Sequence, residues 1–148
     1  MLPLIEHDEV IERRIHRLIQ SIDFDFSGFR FKSFVKWLKA EREREIVFVP
    51  WSLPSDISGA WIPTPNSDYI FYDKNLPYPL RLYVQLHECG HILCGHQPVV
   101  FSEESQAFGV ENSTSRSTVD RFLLRIESHI HSQAEAEAEY FAWLIMSK

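Results

Sequence analysis

The sequence predicts a small α+β domain: a short, mainly antiparallel sheet packed against one helix, with further helices at both ends. Three observations predict it. Apolar residues recur at helical spacing near both ends of the chain. Between them, residues 45–73 hold three short runs rich in β-branched and aromatic residues, divided by turn residues. Residues 80–93 then form a helical pattern with no proline after Pro79, and it carries His87-Glu88-Cys89-Gly90-His91.

Each element has its own signal. In residues 8–22, Ile11, Ile15, Leu18, Ile19 and Ile22 fall on one face of a helix. Gly28 marks a break. Residues 30–44 read as a second helix with Phe31, Phe34, Val35 and Leu38 inward, and their end, 39–45, alternates in charge as a solvated face does. Strands follow at 45–51, 59–63 and 67–73. The links between them hold Pro54, Gly59, Pro63, Pro65 and Asn66, and they are too short for crossover helices, which favours antiparallel pairing. In the 80–93 helix, Leu82, Leu86, Cys89 and Leu93 form a back stripe, while His87 and His91 share the other face with Leu80, Tyr83 and Val84. Gly95 is placed to stop it. Residues 102–118 are rich in Ser, Glu and Asn and read as a flexible loop or lid. Helical patterning resumes at 119–131 and again at 134–146.

Composition narrows the function classes. At 148 residues with 45% hydrophobic content, the chain can build one real core, so residues 1–148 are read as a single domain, with a helical part at 1–44 and the sheet and motif at 45–148. A net charge of −6 argues against direct nucleic-acid binding. Two cysteines, Cys89 and Cys94, sit five apart on one helix and are poorly placed to bridge, which suits a reducing cytoplasm. The first residues lack the pattern of a signal peptide, and no stretch of about 20 apolar residues predicts a membrane span.

The chemistry lies in the H-E-x-x-H pattern. Residues four apart on a helix lie one turn apart on the same face, so His87 and His91 can reach one metal ion. One zinc ion fits best, since two His and a carboxylate leave a position open for water or substrate; manganese is a second metal this ligand set allows. Glu88, about 100° round the helix, is placed as general base. Three glutamates of the last helix, Glu135, Glu137 and Glu139, compete to be the third ligand. At about 100° per residue, Ala138, Phe141, Leu144 and Ile145 cluster around Glu137, whereas Glu135 and Glu139 fall opposite. A buried unpaired carboxylate is costly, and a metal would remove that cost. Glu137 is therefore the expected ligand; the alternative is a buried Glu paired with Arg121 or Arg125, or held by hydrogen bonds. The donor that would stabilise an oxyanion stays open among Tyr69, Tyr72, Tyr83, His129 and His131. Cys94, one turn beyond the histidines, reads as a core cysteine that can approach the site.

HECGH followed by Glu137-Ala138-Glu139-Tyr140-Phe141-Ala142-Trp143-Leu144-Ile145-Met146 resembles the ImmA/IrrE family of metallopeptidases, over roughly residues 44–148. The family's segment has Asn or Asp where this chain has Glu139, and Met-Pro where it has Met146-Ser147. The resemblance implies a small zincin-like domain of the gluzincin kind, with the third zinc ligand at the position of Glu137. It implies a cytoplasmic zinc endopeptidase that cleaves a separate helix-turn-helix repressor, in a phage or mobile-element setting. The competing expectation is a non-catalytic metal-binding module that sequesters a regulator or acts in a toxin-antitoxin pair. Nothing in the sequence sets the oligomeric state.

Overall fold

A computed structural model describes residues 8–54, 57–97 and 132–148. The loop expected at 102–118 and the helix expected at 119–131 lie outside these residues, as do His129 and His131. The chain runs α1 (Glu9–Ser21), α2 (Phe31–Arg42), β1 (Glu45–Trp51), β2 (Gly59–Pro63), β3 (Ser67–Asp73), α3 (Tyr78–Leu93) and α4 (Ser132–Met146). The architecture is α+β, with the sheet against α3 and helices at both ends, as the sequence predicts.

Local chemistry sets the helix ends. Asp8 caps α1, its carboxylate accepting from the backbone N–H groups of Val10 and Ile11. Glu43 turns into the left-handed region at φ 52° and ends α2, so that β1 begins two residues later. Pro79 lies in the first turn of α3, where its missing N–H costs nothing.

The sheet has the order β1-β3-β2. β2 and β3 pair antiparallel, with Trp61 opposite Ile70. β1 pairs with β3 in parallel, with Phe48 opposite Ile70. The antiparallel expectation thus holds for the hairpin and not for β1. Short links do exclude a crossover helix, but β2 itself carries the chain back along the sheet, so β3 starts at the same end as β1. The central strand is tied down at its start by Asp68, which is fully buried. Its carboxylate accepts from Arg42 Nε at 2.8 Å, Arg44 Nε at 3.3 Å and Trp61 Nε1 at 3.0 Å. The 39–45 charge run is therefore only partly a solvated face: Lys39 and Glu45 pair at the surface, whereas Arg42 and Arg44 satisfy a buried acid.

The core lies between the sheet and the helices. Ile15 of α1, Phe34 and Leu38 of α2, Ile70 of β3, Leu86 and Cys89 of α3, and Phe141 and Ile145 of α4 are almost wholly buried in it. Phe24, Phe26 and Phe29, in the link between α1 and α2, pack against Phe34 and Trp37 and close its N-terminal end. Ala60, Ile62 and Phe71 form a smaller cluster with Val49, Trp51, Leu53 and Tyr69. Among the described residues both cysteines are free, and no helix is long and apolar enough to cross a membrane.

Candidate metal centre

α3 is the buried element on which the site is built. Residues 83–92 are all buried, because the sheet covers one side of the helix and α4 another. Leu86 and Cys89 of the predicted back stripe are fully enclosed, and Tyr83 and Val84 on the motif side are buried too. The helical spacing brings the His87 and His91 rings to 4.9 Å, edge to face.

Both imidazoles aim at one carboxylate, and it belongs to Glu135. His87 Nε2 lies 3.0 Å from Glu135 Oε1, and His91 Nε2 lies 2.7 Å from Glu135 Oε2. One ligand atom from each of the three residues lies within 4.8 Å of the others. Glu137, the expected third ligand, is elsewhere. It is 3% exposed, with Oε1 2.7 Å from His96 Nε2 and Oε2 accepting from Arg14 Nη1 at 2.6 Å and from Gln133 Nε2 at 3.3 Å. The sequence argument that a buried carboxylate needs a partner was sound; the partners are a cation on α1 and a histidine past α3, not the two motif histidines. The resemblance places its third ligand at this same position, two residues from the glutamate that faces the motif histidines.

The difference has a physical cause. Residues two apart on a helix point about 200° apart. α4 buries a broad arc through Glu137, Ala138, Tyr140, Phe141, Ala142 and Ile145, and it packs against both α1 and α3. The bulky residues mark the middle of that arc, and at Gly90 the backbone of α4 also comes close to α3. A Cβ added at Gly90 would lie 3.1 Å from Phe141 Cδ2 and 3.3 Å from the Cα and carbonyl oxygen of Ala138. Glu135 precedes Ala138 by three residues and Ala142 by seven, so it shares their face and reaches the histidines. Glu137 lies on the other flank, toward α1. The small pair Gly90 and Ala138, one on each helix, was the signal that could have found Glu135.

Glu88 is 6% exposed and stands beside the cluster, its Oε2 3.9 Å from His87 Nε2. Burial pushes its carboxyl above the usual range, opposed by the His87 and His91 imidazoles and by a hydrogen bond from the Trp61 backbone N–H of β2. Gly59 makes that approach of β2 possible: a Cβ there would meet Val84 Cγ1 at 2.5 Å and Glu88 Oε2 at 3.2 Å. The Tyr83 hydroxyl is buried and has no hydrogen-bond partner among the described residues. Its ring lies 6.4 Å from that of His87, and burial, with the charges of Glu139 and Glu135 adding, holds it protonated. Of the other oxyanion candidates, Tyr69 packs in the smaller cluster and Tyr72 lies under Arg81.

The C-terminus of α3 is a Schellman motif. Gly95 takes φ 70°, its N–H donates to the carbonyl of Ile92, and the His96 N–H donates to that of His91. The turn folds His96 back beneath the motif helix, a consequence of Gly95 that the sequence reading did not draw.

The donor set suits zinc. Two imidazole nitrogens and a carboxylate are the ligands of one class of catalytic zinc site. With bonds of about 2.0–2.2 Å, tetrahedral ligands stand roughly 3.4 Å apart, and one ligand atom from each of the three residues already lies within 4.8 Å of the others. No family model matches the chain, and no curated protein or solved structure is detectably similar to it.

Proposed function

We propose that this chain is a zinc endopeptidase of the ImmA/IrrE kind, acting on a protein partner. The observation that supports it best is the convergence of His87, His91 and Glu135 with a buried, unspent carboxylate, Glu88, beside them. A purely structural metal site has no use for that fourth group.

Zinc bound there would polarise a scissile carbonyl and make water more acidic. The chain supplies the rest. Glu88 takes the proton of the attacking water and passes it to the leaving amine. The Trp61 N–H fixes the carboxylate that does so. Tyr83, a buried donor one turn before His87, stabilises the developing negative charge. β2 is an edge of the described sheet next to Glu88, and an extended peptide can pair along it. The proposed substrate, a separate helix-turn-helix repressor, comes from the motif resemblance alone.

The test is incubation of the chain and zinc with a helix-turn-helix repressor encoded beside it, read by intact-mass measurement. Defined fragments that disappear with a chelator and with Glu88→Gln are expected. Loss of at least 10²-fold in rate for Glu88→Gln, with zinc retained, fits a general base. Cleavage at the parent rate by that variant would sink the proposal.

A further inference from the structure

We infer that His96 and Glu137 are positioning residues for the metal centre, holding His91 in the one tautomer and ring orientation that presents Nε2 to a metal. The inference rests on the zinc reading of the site and deepens it.

An unbroken line of hydrogen-bonding groups runs through four parts of the fold. His91 on α3 has Nε2 at the candidate site and Nδ1 2.9 Å from His96 Nδ1. His96, past the Gly95 turn, has Nε2 2.7 Å from Glu137 Oε1 on α4. Glu137 Oε2 takes the Arg14 guanidinium of α1 at 2.6 Å. The two imidazole rings stand 5.1 Å apart.

The protons can be assigned by elimination. Glu137 faces the Arg14 cation, so it is ionised and can only accept. His96 Nε2 must then carry a proton. In neutral His96 this leaves Nδ1 as an acceptor, so the proton between the two rings sits on His91 Nδ1. With a metal in place of the proton that His91 Nε2 shares with Glu135 Oε2 at 2.7 Å, neutral His91 has its lone pair on Nε2, the atom facing the site. A histidine ligand whose second nitrogen donates in this way is fixed in orientation and made more basic.

Cys94, His96 and Glu137 also bring one ligand atom each within 4.8 Å of the others, so the same residues could be a second metal site. One feature speaks for the supporting role: Arg14 already neutralises Glu137, and a cation added there would face that guanidinium.

Competitive zinc titration of the full chain, with stoichiometry, separates these roles. The variants are Glu137→Gln, His96→Phe, His96→Gln and Cys94→Ser, each melted first without metal to show that it folds. The expected result is one zinc per chain throughout. Affinity should fall about 10- to 100-fold in Glu137→Gln and His96→Phe. It should fall less in His96→Gln, whose amide carbonyl can still accept from His91, and stay unchanged in Cys94→Ser. The cobalt(II) absorption bands should shift in His96→Phe and not in Cys94→Ser. Unchanged affinity in the folded Glu137 and His96 variants overturns the inference while leaving the zinc reading intact. Two zinc ions per chain, one of them lost with Cys94→Ser, overturns it in favour of a second site. A parent chain that takes up no zinc overturns both.

Discussion

Gly59→Ala probes the contact on which the placement of Glu88 depends. Gly59 lies in extended strand backbone, which alanine adopts freely, so the effect is one of space. The added Cβ would fall 2.5 Å from Val84 Cγ1, where ordinary carbon contacts are about 3.5–4.0 Å, an overlap of more than about 1 Å. Val84 cannot swing away easily. It is 6% exposed, and a β-branched side chain in a helix has one strongly preferred rotamer. Overpacking of this kind costs about 1–3 kcal/mol. For a chain of this size each kcal/mol shifts the melting temperature by roughly 2–4 °C, so a fall of about 2–12 °C is expected by calorimetry. The second neighbour, Glu88 Oε2 at 3.2 Å, must also give, so turnover should fall further than folding explains while zinc affinity holds. Val84→Ala removes the obstructing methyl and should rescue the alanine. In the double-mutant cycle Gly59→Ala should cost close to nothing in the Val84→Ala background, a coupling of about 1–3 kcal/mol. Additive losses would show that β2 does not abut α3 at this point.

Other variants test the site directly. Glu135→Ala should weaken zinc by on the order of 10²- to 10³-fold, taking zinc sites of about 10–16 kcal/mol as shared among their ligands; Glu139→Ala should leave affinity unchanged, and the reverse order in a chelator competition would mean that α4 is wrongly phased. Tyr83→Phe should keep zinc affinity and lower turnover by about 10²-fold or more, read as kcat on the cleaved partner, because it removes only a donor; an unchanged kcat would assign the hydroxyl no part in catalysis. In the metal-free protein the Glu135 carboxyl is held well below its usual 4.5: burial opposes this, but the His87 and His91 hydrogen bonds prevail. His87 is raised above 6.5, since Glu135 and the neighbouring acids outweigh the lowering by burial. The Glu135 contribution to stability is present above pH 4.5 and lost as pH falls; the His87 contribution is present below pH 6.5 and lost as pH rises through its folded value. Melting of the chelated protein should therefore weaken from pH 6 to 8, whereas zinc, which needs neutral imidazoles, should make the loaded protein gain over the same range. Parallel slopes with and without zinc would refute the pairing.

The strands at 45–51, 59–63 and 67–73 were legible because each is a short β-branched or aromatic run with turn residues on both sides. α1 was legible because its isoleucines keep a helical period and Asp8 is a strong cap. These are local signals, and each is complete within one element. The parallel pairing of β1 with β3 is different. It depends on which two strands become neighbours after folding, and the link lengths around β2 say nothing about that. The roles of Arg42 and Arg44 are hidden for the same reason. An alternating charge run reads as surface until a buried Asp68 more than twenty residues later is known to face it.

The motif pair His87 and His91 was readable for the opposite reason, since one helical turn fixes both residues. The third member of the cluster lies on another helix, and which residue it is depends on how the two helices pack. Hydrophobic bulk finds the middle of the buried face of α4, and Glu137 lies near it. The absence of bulk matters as well: a Cβ added at Gly90 would lie 3.1 Å from the Phe141 ring and 3.3 Å from the Ala138 backbone. Gly90 occupies a variable position of H-E-x-x-H, yet it is where α4 packs close against α3. The same close packing leaves Glu137 on the α1 flank, where Arg14 and His96 satisfy it. The two acids thus part: Glu135 faces the candidate site, and Glu137 faces Arg14 and His96.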